Sequence, residues 1–241
     1  MLWLLDMYRR TPLVSGEIYH IFNRGAHKQN IFTSENDYAR FKILLHLANN
    51  SKPIHVSNIF QKYKNTSYTT ILENEPADHA LVDVLAYALM PNHFHLILRQ
   101  KEDDGITLFM KKMMTAYSMY FNIRYEHSGV LFQGRFKSSH ASNEEYLRYL
   151  FAYIHLNPIE IIDKNWKDKK VSDKNKAKSF LNSYSHSSYL DYIGKKRAEE
   201  KILSSDSVID FSAETSFEEL CKLVEENYEH DGKDSSKDSL N

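Results

Sequence analysis

The sequence predicts an α+β domain whose mainly antiparallel sheet carries helices on one face, and three observations point there. Apolar residues alternate with period two in some stretches and recur at helical spacing in others, in the order β, α, β, β, α, β, α. Glycine and proline are scarce, at seven and five residues, which leaves few long flexible linkers. Hydrophobic residues make up 42% and aromatics 13% of the 241, ample for a real core. A palm-like or ferredoxin-like arrangement fits that order.

In chain order, Gly16 to Phe22 alternates as a strand and ends in the turn-like Asn23-Arg24-Gly25. Ser34 and Glu35 start a helix in which Phe41, Leu44, Leu45 and Ala48 share a face. Asn49 to Asp78 is polar and rich in Ser, Asn, Thr and Lys, and reads as an insertion or long loop. Val82 to Met90 and His93 to Arg99 make a β-hairpin around Pro91-Asn92. Gly105 to Glu126 lines Leu108, Met113, Ala116, Tyr120 and Ile123 along one helical stripe, and His127-Ser128-Gly129 stops it. Val130 to His140 resumes strand character. Asn143 caps a helix running through Tyr146, Leu150, Tyr153 and Ile154, which Asn157-Pro158 ends because proline restricts the residue before it.

After a lysine-rich connector at Lys164 to Lys178, a short helical or turn segment spans Ser183 to Tyr192. Ser216 to Glu229 has the spacing of an amphipathic helix, and an Asp, Ser and Lys tail with the composition of disorder follows. The expected organisation is one domain over residues 1–205, with an insertion at about 49–80, and an acidic extension over 206–241 holding a helix and a disordered tail.

Composition narrows the function. The single cysteine, Cys221, excludes an intramolecular disulfide and any multi-cysteine zinc or iron-sulfur centre, so a metal must be held by His, Asn, Asp, Glu or Gln. No apolar run is long enough to span a bilayer, and no signal peptide is evident, which reads as cytoplasmic with no membrane partner. The net charge of −1 conceals an uneven distribution: residues 206–241 hold eleven Asp and Glu against three Lys, leaving residues 1–205 near +7. A basic body with an acidic tail is compatible with a polyanion partner.

Three groups of residues could carry chemistry. His93-Phe94-His95 lies in an alternating strand, so its two imidazoles point to one side, within one metal's reach; two strand histidines bonded within the fold would fit the same spacing. Tyr153 and Asn157 lie four apart on one helix face, placing a phenol beside a carboxamide, an arrangement that core packing and a helix end would also produce. Arg135 and Lys137, following Gln133, share a strand face among aromatic residues, a pattern that suits phosphate and stacked bases, or merely solvated charges. Asn23-Arg24-Gly25 is a weaker polar loop of the same kind.

A free tyrosine, with a pKa of about 10, is a poor nucleophile at neutral pH, so attack on a phosphodiester needs help that a divalent cation supplies. Two imidazoles and an amide oxygen suit Mg2+ or Mn2+, and their chemistry suits zinc as well.

Four words occur in order: Ile18-Tyr19-His20-Ile21-Phe22-Asn23-Arg24-Gly25, Ala86-Tyr87-Ala88-Leu89-Met90-Pro91-Asn92-His93-Phe94-His95-Leu96, Phe132-Gln133-Gly134-Arg135-Phe136-Lys137-Ser138 and Tyr153-Ile154-His155-Leu156-Asn157-Pro158. Together they resemble the single-tyrosine His-hydrophobic-His (HUH) transposases, and most closely the REP-associated tyrosine transposases, over roughly residues 14–192. The resemblance implies a palm-like HUH fold, with His93, His95 and Asn157 as metal ligands and Tyr153 as nucleophile. It implies an endonuclease and strand transferase that cuts single-stranded DNA beside a hairpin or palindromic repeat, forms a 5′-phosphotyrosine link, and rejoins strands in DNA transposition and recombination. Arg24, Gln133, Arg135 and Lys137 become candidate DNA-binding residues by position, and a monomer or a homodimer would fit. The alternatives are a hydrolytic or replication-initiator-like nickase and a non-catalytic DNA-binding protein on the same scaffold. Tyr117, near Tyr120 and Asn122 on the preceding helix, is the rival nucleophile.

Overall fold

The computed structural model describes residues 12–53, 55–76, 79–169, 171–204 and 216–231. Its centre is β1 (Ile18–Arg24), α1 (Glu35–Leu47), β2 (Val82–Met90), β3 (His93–Gln100), α4 (Gly105–Tyr125) and β4 (Lys137–His140). The four strands pair antiparallel in the order β2-β3-β1-β4. This βαββαβ order with its interleaved strands is the ferredoxin-like arrangement, and the α+β class with an antiparallel sheet holds.

Alternation along β3 assigns the two faces. Phe94 packs against Phe41 of α1 at 5.1 Å between ring centroids, and Phe41 lies 5.0 Å from Tyr117 of α4, so α1 and α4 share one face as expected. The opposite face, carrying His95, is covered by α5 (Glu144–Leu156), whose Tyr153 ring lies 5.8 Å from that of His95. Helices therefore lie on both faces once α5 is added to the ferredoxin-like unit. Burial on both sides explains why all nine residues of β2 are buried and why it reads as a near-continuous apolar run.

Local chemistry starts the helices where the sequence places them. Ser34 and Asp37 form a capping box at α1, and the buried Asp37 carboxylate also accepts from the hydroxyls of Tyr120 and Tyr125 of α4, each at 2.8 Å. Asn143 accepts from the Tyr146 amide at 2.8 Å and starts α5.

Three expectations need correction. The 49–78 stretch is not an irregular loop: it holds α2 (Val56–Lys62) and α3 (Tyr68–Asn74), the latter capped by Ser67. Ile71 of α3 packs on Ile43 and Leu47 of α1, with Ile59, Phe60 and Tyr63 against them, so a few apolar residues at helical spacing suffice within polar surroundings. Residues 130–136 are not strand either: Gly134 turns the chain at φ +69°, a single bridge joins Gly25 to Phe132, and only Lys137–His140 pairs with β1. The lysine-rich connector contains α6 (Trp166–Lys169) and α7 (Lys174–Leu181), the second capped by Asp173.

The short segment after it forms α8 (Tyr189–Tyr192), and the C-terminal helix is α9 (Phe217–Asp231). Phe217, Leu220, Cys221 and Val224 of α9 are buried, and the helix packs on α5. Its acidic face is partly neutralised, with Glu218 2.7 Å from Lys178 and Glu225 3.2 Å from Lys174 of α7. The expected disordered tail lies outside the described residues. Among the described residues no helix is long and apolar enough to cross a membrane.

A buried ion pair ties the body together. Lys42 of α1 meets Glu199 at 2.7 Å, their side chains only 3% and 6% exposed, and the Tyr68 hydroxyl of α3 donates to the same carboxylate at 2.7 Å. Glu199→Ala leaves a buried ammonium without its counter-charge, at an expected cost of about 3–5 kcal/mol. Chemical denaturation of the single variant and of Lys42→Met/Glu199→Leu checks this. The double variant is expected to recover most of the loss.

Candidate active site

The β2–β3 hairpin and α5 build the site from opposite sides of one cleft. Phe22, Asn23, Arg24, Asn92, His93 and His95 line it from the sheet, Tyr153 from α5, Glu160 and Lys167 from the segment beyond, and Gln133 and Lys137 from the rim. Its volume is about 490 Å3, within the range of small-ligand pockets and large enough for a nucleotide. The two imidazoles stand with ring centroids 5.0 Å apart at 90°. The same-side placement expected from the strand period is therefore present.

Each histidine is fixed by a partner on its Nδ1 side. His93 Nδ1 donates to Asn92 Oδ1 at 2.7 Å, and His95 Nδ1 lies 2.8 Å from Nε2 of the buried His20 on β1. Burial lowers the pKa of both, the opposing pull of Glu160 on His93 notwithstanding, and the neutral imidazole is the form that binds metals. A neutral His93 that donates from Nδ1 presents a lone pair at Nε2, and this atom faces Asn157 Oδ1 at 3.3 Å. Two acceptors thus converge on one point, while the fully buried Asn157 Nδ2 has no hydrogen-bond partner. A cation between them resolves that juxtaposition, so the donor set fits a divalent metal. His95 joins the set by presenting Nε2 while its Nδ1–H donates to His20, a tautomer-fixing contact of the kind that supports metal-bound histidines.

Tyr153 is 4% exposed and boxed by aromatic rings: His20 at 6.3 Å, Tyr149 at 5.9 Å and Trp166 at 6.3 Å. Lys167 Nζ lies 5.4 Å from its ring centroid. Asn157 sits where α5 passes into a 3-10 turn at Asn157–Ile161, with Pro158 in its first turn. The rival Tyr117 is fully buried on the other face of the sheet, where its hydroxyl donates to the Ile31 carbonyl, and burial drives its pKa far upward.

The candidate DNA contacts divide. Arg24, Gln133 and Lys137 reach the cleft; the Arg24 guanidinium donates to the Gln133 side chain, and Lys137 Nζ stands 6.0 Å from the Phe22 ring. Arg135 does not share a strand face with Lys137: it sits exposed in the bend after Gly134, and it is not among the residues lining the cleft. Sequence reasoning missed His20, Asn92, Glu160 and Lys167. His20 and Asn92 lay inside the matching words, with strand alternation and the turn beside His93 as their signal. Glu160 and Lys167 carried none.

Residues 52–157 match the model of the family described as Transposase IS200 like. This stretch is similar to the IS200-like transposases. It spans both histidines, Tyr153 and Asn157, and it leaves β1, with His20 and Arg24, outside the match. Among solved structures, the chain is similar to a REP-associated tyrosine transposase bound to a REP hairpin, at 13% identity and TM-score 0.46, covering 80% of this chain and 88% of that one. Comparison with curated proteins gives no match.

Proposed function

We propose that this chain is a metal-dependent DNA strand transferase that cuts single-stranded DNA at hairpin-flanked sites and rejoins it through a 5′-phosphotyrosine on Tyr153. One observation carries the reading: the His93 lone pair and the Asn157 carbonyl oxygen converge beside His95, and among the described residues Tyr153 is the only tyrosine lining that cleft. The IS200-like match over these residues supports the reaction class.

A divalent metal, Mg2+ or Mn2+, held by His93, His95 and Asn157, would supply Lewis-acid polarisation of the scissile phosphate. His20 and Asn92 hold the two imidazoles in register for it. Tyr153 is the nucleophile, and its phenol needs no large motion to face the cleft, since α5 already presents it there. Arg24, Gln133 and Lys137 line the approach, where a guanidinium and an ammonium suit a phosphate backbone; Arg135 serves DNA further from the cleavage point. The released 3′-hydroxyl later attacks the phosphotyrosine, so the bond energy is conserved and no external energy source is needed.

Because His93, His95, Tyr153 and Asn157 meet within one chain, a site completed in cis is favoured, and a monomer suffices for cleavage. The reaction suits a cytoplasmic protein acting on nucleoid DNA. Residues 1–205 would form the catalytic domain, with α9 of the 206–241 extension buttressing α5.

The test is incubation of the pure protein with end-labelled single-stranded hairpin DNA and Mg2+ or Mn2+, with and without chelator, followed by denaturing gels. Label retained on the protein, and lost with chelator, is the expected outcome. Cleavage without an adduct would replace this reading with the hydrolytic nickase, and binding with neither would point to a non-catalytic DNA-binding protein.

A further inference from the structure

A second cavity opens beside the cleft. It measures about 530 Å3 and shares Arg24, Lys28 and Gln133 with the cleft, while His93, His95 and Tyr153 line the cleft alone. Its other wall is apolar, formed by Val130, 74% exposed, and the more deeply set Phe132. Gly134 ends that wall at φ +69°, and a Cβ there would meet nothing within 4 Å, so the mouth is open. An apolar wall faced by cations suits a nucleotide, the base against the first and its phosphate against the second. The loop that closes the cavity is pinned. The Gly25 N–H donates to the Asn92 carbonyl at 2.8 Å, the Ala26 N–H to that of Leu131 at 2.9 Å, and the Gln29 side chain to Leu131 at 3.1 Å. These bonds hold His27 and Lys28 at φ 52° and 63°, a conformation that residues other than glycine adopt where their surroundings impose it, often at ligand clamps. Through Asn92, whose side chain also holds His93, the loop is tied to the β2–β3 hairpin.

The polar groups that the two cavities share are donors. Gln133 Oε1 accepts from Arg24 Nε, which leaves the Gln133 Nε2 hydrogens and the terminal Arg24 amino groups to donate. The neighbouring carbonyls are taken. That of Arg24 accepts from the Gln133 amide at 2.8 Å, that of Phe132 from the Gly134 amide at 2.8 Å, and that of Gly134 from Asn23 Nδ2 at 3.2 Å. We propose that this cavity seats one unpaired guanine of the single-stranded DNA, its N7 and O6 read by Arg24 and Gln133, its ring against Val130 and Phe132, and its phosphate beside Lys28. The inference rests on the reading that the chain acts on single-stranded DNA, and it makes Gln133 a specificity residue. Guanine N7 and O6 are two adjacent acceptors with no donor between them, which a donor edge satisfies. Adenine sets its N6 amino group beside N7, so a donor would face a donor and a buried N–H would lose its partner. Cytosine O2 and N3 are also adjacent acceptors, but the single ring covers less of the apolar wall than a purine does.

The experiment measures affinity by fluorescence anisotropy, with the full chain in chelator so that no cleavage intervenes. The probes are labelled hairpin oligonucleotides with all-adenine single-stranded flanks, through which a single guanine is walked. At one flank position guanine is expected to bind about 5- to 100-fold tighter than adenine. At that position hypoxanthine, which keeps N7 and O6 and lacks the 2-amino group, should match guanine, and 7-deazaguanine should fall to the level of adenine. Gln133→Leu, a change at an exposed position, should bring guanine and adenine to within about threefold of each other, because it removes the Nε2 donors. Equal affinity for guanine at every position would overturn the inference. So would a guanine preference that survives Gln133→Leu, since a residue that serves only the fold or the phosphates lowers all affinities together. Adduct formation in Mn2+ with the same probes separates the two readings. A guanine preference without any adduct would sink strand transfer and leave the base pocket standing, an adduct with a flat scan would do the reverse, and no binding to any probe would overturn both.

Discussion

Tyr153→Phe is expected to abolish the protein–DNA adduct and reduce cleavage to background while hairpin binding stays within about twofold, since the change deletes the nucleophile and leaves the phosphate contacts in place. The fold should survive it. The ring contacts with His20, His95, Tyr149 and Trp166 are shared by phenylalanine, so the stability change should stay within about 1 kcal/mol. Tyr117→Phe provides the contrast. That hydroxyl satisfies the Ile31 carbonyl in the core behind the sheet, so its removal should lower stability and leave adduct formation per folded molecule intact. Gel-shift titration, denaturing gels and thermal melts on the two variants separate chemistry from folding. An adduct that disappears with Tyr117→Phe and persists in Tyr153→Phe would refute the assignment.

The second large effect is expected from the histidine pair. His95→Ala should lower cleavage by about 100- to 10,000-fold, the equivalent of several kcal/mol of lost charge stabilisation at the phosphate. The same variant should weaken Mn2+ binding in calorimetry, with DNA affinity in chelator unchanged. His20→Ala discriminates between ligand and support. Because His20 only holds His95 Nδ1, its loss should reduce metal affinity by about 10- to 100-fold without eliminating it, as is usual for outer-shell partners. Equal Mn2+ affinity in wild type and His95→Ala would remove the histidine pair from the metal site.

Much of this was legible in the sequence where a short-range rule applies. The period of β3 put both imidazoles on one side, Pro91-Asn92 set the hairpin, and the Asn143 cap and Asn157-Pro158 bounded α5 to within a residue. The ferredoxin-like strand order also followed from element order, because a βαββαβ chain has few ways to close such a sheet. What stayed hidden depends on long-range packing. α2 and α3 look like polar loop because their apolar residues are few: Ile71, with the partly buried Ile59, Phe60 and Tyr63, packs on Ile43 and Leu47, while Leu72 joins the main core. Val130 to His140 reads as one strand that includes Arg135, but Gly134 at positive φ turns Arg135 out of register. Glu160 and Lys167 lay in stretches with no periodic signal, and their closeness to Tyr153 arises from the chain's return after Pro158.

The most direct measurement is mass spectrometry of the wild-type adduct after nuclease and trypsin digestion. The peptide from Tyr149 to Lys164 contains two tyrosines, Tyr149 and Tyr153, so the fragment ions must place the nucleotide on one of them. The expected result is a nucleotide 5′-phosphate on Tyr153, formed only when Mg2+ or Mn2+ is present. A nucleotide on Tyr149, on Tyr117 or on any other residue, or DNA cut with every tyrosine unmodified, would contradict strand transfer through Tyr153.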